Sequence, residues 1–320
     1  MSHVVVSGAN GFVGRALCRV LVNAGHTVTG LVRRPGECVD GVTEWIYSSE
    51  DFGGIEGAWP AHLTCDCVVH LAARVHVMND NAPDPDAAFR ATNVGGTLRI
   101  AAAAQQHGVK RFLFLSSIKA VGERDNGQPL CERDAPAPED AYGRSKQEAE
   151  DALVRFGNAT GLDVVVVRPP LVYGPQVRAN FLRLMDAVWQ GVPLPIGAIE
   201  ARRSLLYVDN LADALMRCAL DPRATCGCFH VADTDAPTVA ELGRSLSFHL
   251  GKPARLLPVP PGWLRVAGRL TGRSKQVNRL IDSLRVETEH IRHVLGWQPP
   301  FSMDDGLAAT AHWYRSTHRA

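Results

Sequence analysis

Tyr142 and Lys146 stand four residues apart at the start of a polar, Ala-containing stretch. On a helix that spacing puts both side chains on one face. An ammonium beside a phenol favours phenolate, so the pairing predicts a tyrosine pKa lowered towards working pH. Alone, such a pair is an ordinary surface feature. Upstream, however, an expected strand, 109–115, ends in Ser116-Ser117. A hydroxyl at a strand end, a phenol and an amine together can exchange a proton with a substrate oxygen.

A second group of residues could hold the other reactant. Ser7-Gly8-Ala9-Asn10-Gly11-Phe12-Val13-Gly14 follows the β-branched run 3–6 and precedes a segment with helical apolar spacing. The glycines therefore mark a strand-to-helix turn. Gly8 permits the tight turn, Gly11 lets backbone N–H groups approach a pyrophosphate, and Gly14 lets helix and strand pack closely. The helix N-terminus favours negative charge. After the second expected strand, 27–32, come Arg33-Arg34 where NAD-binding chains carry an acid. A guanidinium there suits a 2′-phosphate, so NADP is expected, with NAD as the alternative and Arg33 ahead of Arg34.

The elements that must position these groups follow from pattern. Further strands are expected near 43–47, 66–71, 109–115 and 163–168, and long helices near 86–107 and 140–157. Ala72 and Ala73 end the fourth strand with side chains small enough for a ribose to lie against the backbone, beside Leu71. His70 reads as a packed, hydrogen-bonded histidine. Loop 74–80, with His76 and Asn79, leaves that strand end, and loop 122–140 is long enough for an active-site excursion. The helix around Trp263, Leu264, Val266 and Leu270, with Arg265 and Arg269, is amphipathic; packing within a small domain is expected over a membrane contact.

Bulk properties set bounds. The chain has 320 residues, 34 basic and 33 acidic side chains, and a formal net charge of +1. That balance gives no reason to expect nucleic acid or an anionic membrane as partner. The eight cysteines form neither a metal-binding nor a redox spacing, and no metal site is expected. No run reaches membrane-spanning length and no leader precedes the first strand, so a cytoplasmic location is expected.

With these motifs in place, the chain resembles the extended short-chain dehydrogenase/reductases, in their nucleotide-sugar epimerase and ketoreductase branch, over nearly its whole length. The resemblance rests on Gly8, Gly11 and Gly14, on 66–73, on Asn93 with Gly96-Thr97, and on Ser117, Tyr142 and Lys146. It also rests on Arg168-Pro169-Pro170 through Pro175 and on Tyr207-Val208-Asp209-Asn210. It implies an α/β fold: a doubly wound parallel Rossmann sheet with a smaller C-terminal substrate domain. The expected division is 1–170 plus about 205–235 for the cofactor, and 171–204 with 236–320 for the nucleotide sugar. Tyr142 would exchange the proton, Lys146 would hold the nicotinamide ribose, and Ser117 would bind the same substrate oxygen, with Ser116 as the alternative register. Implied cofactor contacts are Gly8, Asn10, Gly11, Phe12, Val13, Gly14, Arg33, Arg34, Leu71, Ala72, Ala73, Asn93, Ser116 and Pro169. Implied substrate contacts are His76, Asn180, Phe181 and Arg203, with a second basic residue among Arg273, Lys275 and Arg279.

The segments 73–78 and 115–120 look more closely like bacterial reductases of UDP-4-keto-6-deoxy-N-acetylhexosamines, which serve surface-polysaccharide synthesis. A UDP-hexose 4-epimerase with bound NAD is the second expectation, and a non-catalytic NADP sensor a distant third. A homodimer through the two long helices is also implied.

Overall fold

The computed structural model describes residues 1–75 and 84–318; His76 and Asn79 lie outside them. Seven strands form one parallel sheet: β1 (His3–Ser7), β2 (Thr27–Val32), β3 (Val42–Ile46), β4 (Cys67–His70), β5 (Arg111–Leu115), β6 (Asp163–Arg168) and β9 (Cys228–His230). Their order is β3-β2-β1-β4-β5-β6-β9. The order reverses between β1 and β4, and ligands of open α/β sheets bind at the carboxyl end of such a switch point. The central strands are near-continuous Val, Leu and Phe because helices cover both faces. On one face lie α1 (Phe12–Asn23) and α7 (Val208–Leu220); on the other lie α4 (Thr97–Gln106) and α5 (Ala141–Thr160). The seventh strand, three residues long and bounded by Cys226 and Gly227, carries too little pattern to be expected from sequence.

The expected helix 86–107 is interrupted. α3 (Pro85–Arg90) runs into a wide π-helical stretch, Ala91–Gly96, before α4. Asp84 caps α3 by accepting from the Ala87 N–H at 3.0 Å. Such widened turns occur at functional sites, and this one holds Asn93.

The C-terminal portion adds a two-stranded parallel ribbon, β7 (Leu171–Tyr173) with β8 (Leu205–Tyr207), and α6 (Ala179–Trp189). α8 (Val239–Leu250), α9 (Pro261–Leu270), α10 (Ser274–Ile281), α11 (Glu289–Leu295) and α12 (Met303–Thr317) follow. Asp233 ties this portion to the sheet. Its carboxylate accepts from Tyr173 Oη, the Tyr207 N–H and Asn210 Nδ2, while Asn210 also exchanges two hydrogen bonds with the Phe301 backbone. The Tyr207–Asn210 segment is thus a staple for the chain's last helix.

Candidate active site

The glycine turn forms as expected. Gly8 sits at φ +70°, a left-handed conformation, and a Cβ on Gly14 would lie 2.1 Å from the Gly8 carbonyl oxygen. Gly11 begins α1 with no side-chain cap, and the first turn holds no acidic residue. Its N–H groups are therefore open to an anion. A Cβ on Gly8 would come within 3.1 Å of the Ala72 N–H, so the turn and the end of β4 touch through backbone. Ser7 secures that contact. Its Oγ accepts from the Leu71 and Ala72 N–H groups and bonds His70 Nδ1 at 2.7 Å. Having two donors already, Ser7 gives its proton to His70, whose Nε2–H then bonds Thr97 Oγ1 at 3.1 Å. His70 is a buried neutral spacer, its pKa pushed down to about 3 by burial and by Lys146. The cradle of Gly8, Gly14, Ala72 and Ala73, with an uncapped helix start, fits a dinucleotide.

The proton-transfer group assembles on one side of this cradle. β5 and β6 continue their pairing past the sheet: the Ser116 N–H bonds Val167 O at 2.8 Å and the Ile118 N–H bonds Pro169 O at 2.9 Å. This fixes Ser117, whose Oγ hydrogen-bonds the Tyr142 hydroxyl. A Cβ on Gly143 would stand 2.5 Å from the Lys119 carbonyl oxygen, so a glycine there lets α5 dock on the turn after Ser117. Asp140 caps α5 through the Gly143 N–H at 2.8 Å. Lys146, 2% exposed, lies with Nζ 2.7 Å from Leu115 O, 4.4 Å from the Phe114 ring centre and 5.9 Å from the Tyr142 ring centre. Ser117, Tyr142 and Lys146 therefore converge. Ser116 Oγ is buried at the strand end with no hydrogen-bond partner, which suits a polar group of a bound cofactor.

The expected lowering of the tyrosine pKa is not found. Burial, then the Asp140 charge, push Tyr142 upward, against the Ser117 hydrogen bond. Lys146 is instead pushed down to about 7 by burial, with Glu150 opposing. The phenol is held as a neutral proton donor, and the amine titrates near neutrality.

Asn93, expected as a cofactor contact, has its side-chain amide engaged by protein groups. It is 1% exposed; its Oδ1 accepts from the Arg74 N–H, and its Nδ2 donates to Arg74 O and Ser145 Oγ. Ser145 in turn donates to Tyr142 O at 2.8 Å. Asn93 thus joins the end of β4 to the Tyr142 helix. Phe181, expected at the substrate, is 2% exposed with its ring stacked on Tyr173 at 5.4 Å, because α6 turns that face into the core, whereas Asn180 is exposed. Arg33 and Arg34 are exposed at the end of β2, with Arg33 3.3 Å from Glu50. Sequence reasoning missed Glu37, which hydrogen-bonds Asn10 of the glycine turn; it lies beyond the strand end where an acid is sought.

Across the cleft, Arg203 is half-buried, and its buried Nη2 has no hydrogen-bond partner among the described residues. Burial pushes its pKa down, against the fields of Asp282 and Glu123. Of the three basic candidates, Arg279 and Lys275 both line a cavity on this side; Arg279 forms a two-pronged pair with Glu123, at 2.6 and 3.0 Å, and its charge acts on Arg203. A cavity of about 110 Å³ lies between Glu123, Asp140, Arg279 and Asp282.

A dinucleotide cradle with a serine, tyrosine and lysine beside it defines a short-chain dehydrogenase/reductase. The chain belongs to the NAD dependent epimerase/dehydratase family, which it matches over residues 4–227. It is 40% identical over 314 residues to a UDP-glucose 4-epimerase of Vibrio cholerae, covering 96% of this chain and 94% of that protein. It is 24% identical over 325 residues to the N-acetyl-α-D-glucosaminyl-diphospho-ditrans,octacis-undecaprenol 4-epimerase of Escherichia coli O157:H7, covering 97% and 95%. In fold it is similar to the UDP-glucose 4-epimerase of Thermotoga maritima crystallised with UDP-glucose, with TM-score 0.79, 23% identity and coverage of 99% and 100%. Among the described residues no helix is long and apolar enough to cross a membrane.

Proposed function

We propose that the protein catalyses hydride transfer at C4 of a UDP-linked hexose. The observation that carries this is the convergence of Ser117, Tyr142 and Lys146 beside the glycine cradle, with a half-buried Arg203 whose buried Nη2 has no hydrogen-bond partner among the described residues. A bound nicotinamide dinucleotide supplies or accepts the hydride. In the reducing direction Tyr142 gives its hydroxyl proton to the C4 oxygen as that carbon gains hydride. Ser117 holds the same oxygen, and Lys146 stabilises the phenolate until solvent restores its proton. Arg203 would neutralise the substrate diphosphate, with a second cation from Lys275, or from Arg279 on release of its Glu123 pair. The substrate lobe is taken as 171–204 and 236–320, and the enzyme as a cytoplasmic homodimer through α4 and α5.

Two net reactions share this chemistry. Reduction of a 4-keto group of a UDP-4-keto-6-deoxy-N-acetylhexosamine with NADPH, yielding a surface-polysaccharide precursor, is supported by Arg33 and Arg34 at the end of β2. Epimerisation with retained NAD is supported by Glu37 beside Asn10, a carboxylate near the expected adenosine ribose, and by the names of the relatives. Purified protein decides between them. Consumption of added NADPH by a UDP-4-keto sugar, with preference over NADH lost in Arg33→Ala, is expected for the reductase. Tightly held NAD and interconversion of UDP-hexoses without added cofactor are expected for the epimerase. Turnover of neither substrate class would sink the C4 reading, and a solution mass of 34.7 kDa would sink the dimer.

A further inference from the structure

Helix α9 presents an apolar face that the described residues leave open. Trp263, Val266 and Leu270, spaced along one side, are 72%, 51% and 84% exposed. The opposite side is anchored: Gly268 lies against Val277 of α10, and Leu264 packs on the small core of Ile196, Ile199, Ala201 and Val239. The helix is thus held in place by one face while the other is bare, so the expectation that it packs away within the small lobe is corrected. The surrounding chain is strongly cationic. Residues 252–286 contain eight Lys and Arg and a single acid, Asp282, a net of +7 inside a chain whose total is +1. Arg279 and Arg285 are occupied by Glu123 and Asp125, and Arg265 lies 3.8 Å from Asp282, but Arg269, Arg273 and Lys275 are exposed around the apolar stripe.

We propose that α9 docks on an anionic phospholipid surface. Trp263, Val266 and Leu270 enter the boundary between headgroups and acyl chains, and Arg269 and Arg273 meet lipid phosphates. An indole with aliphatic neighbours, flanked by guanidinium groups, is the pattern of a helix lying in a membrane interface. A second copy of this chain is a poor occupant, because the same positive field would face itself. A nucleic acid could use the charge but not the aliphatic side chains. The docking is independent of which C4 reaction the enzyme performs.

The full-length protein is to be sedimented with vesicles of phosphatidylcholine alone and of phosphatidylcholine with about 40% phosphatidylglycerol. Binding is expected only to the anionic vesicles, several-fold weaker at about 0.5 M salt, with a blue shift of indole fluorescence. The double variant Trp263→Ser/Leu270→Ser alters only exposed side chains. Its vesicle partitioning is expected to fall by about tenfold or more, with turnover of soluble substrate unchanged. Absence of anion-dependent binding, or equal binding by the double variant, overturns the proposal. So does a multimeric wild-type mass that the double variant reduces, since the face would then join copies of the chain.

Discussion

At the residue scale, the site keeps its proton on the phenol. Burial raises Tyr142 and lowers Lys146 to about 7, so the neutral donor and a titrating amine stand together at physiological pH. Tyr142→Phe removes the transferable proton while keeping the ring that meets Phe89 at 6.3 Å. Its kcat/KM is expected to drop by about 10²–10⁴-fold, with cofactor retained, as a fluorescence titration of bound dinucleotide would show. Full activity in that variant would remove Tyr142 from the chemistry. Arg203→Leu is expected to act differently. It removes a guanidinium whose buried Nη2 has no hydrogen-bond partner among the described residues, so KM for a UDP-sugar is expected to rise about tenfold or more with a smaller change in kcat.

At the element scale, the site depends on how closely α5 approaches the turn after β5. Gly143 sets that approach, and Glu150 fixes the middle of the helix by a buried pair with Arg168 of β6, 2.5 Å at the shortest contact. Gly143→Ala would place a methyl group 2.5 Å from backbone that cannot step aside. The helix start must shift, carrying Tyr142 from Ser117. Activity is expected to fall about 100-fold, since misplacements of about 1 Å cost that much, while the melting temperature moves by only a few degrees. An unchanged kcat would show that the contact is not needed. Arg168→Leu tests the other anchor. Leaving Glu150 buried and unpaired is expected to destabilise the fold by about 3–5 kcal/mol, read from denaturant unfolding.

At the scale of the whole molecule, two histidines make the fold acid-sensitive. His70 and His230 are each pushed down to about 3, both mainly by burial, then by Lys146 and Arg168 respectively. Above the ordinary histidine value of 6.5 neither state takes a proton and nothing is lost. As pH falls through 6.5 the unfolded chain binds protons that the folded chain refuses, and stability declines down to about pH 3. Each ring contributes at most about 1.4 kcal/mol per pH unit over that window. Unfolding free energy should therefore fall between pH 6 and 4, and two of the twelve histidine rings should show no titration by NMR above pH 5. Titration of every ring near 6.5 would contradict this.

Sequence alone determined the glycine turn and singled out the groups proposed to react. Gly8, Gly11 and Gly14 are legible because each meets a local steric demand, and Tyr142 with Lys146 because helical spacing is itself local. Most of the sheet's first six strands were legible for a like reason: buried parallel strands such as β1 and β6 are near-continuous apolar runs. What only the tertiary structure decided depends on neighbours far along the chain. The Asn93 amide is engaged by Arg74 and Ser145, 19 and 52 positions away, and the Phe181 ring is covered by core packing. Tyr142 rose rather than fell because burial, joined by the Asp140 charge, outweighs the Ser117 hydrogen bond, and burial is a property of packing. Arg279 is paired with Glu123, a residue 156 positions distant. The net charge of +1 concealed a cationic helix pair, because a sum over the chain carries no information about where its charges gather in space.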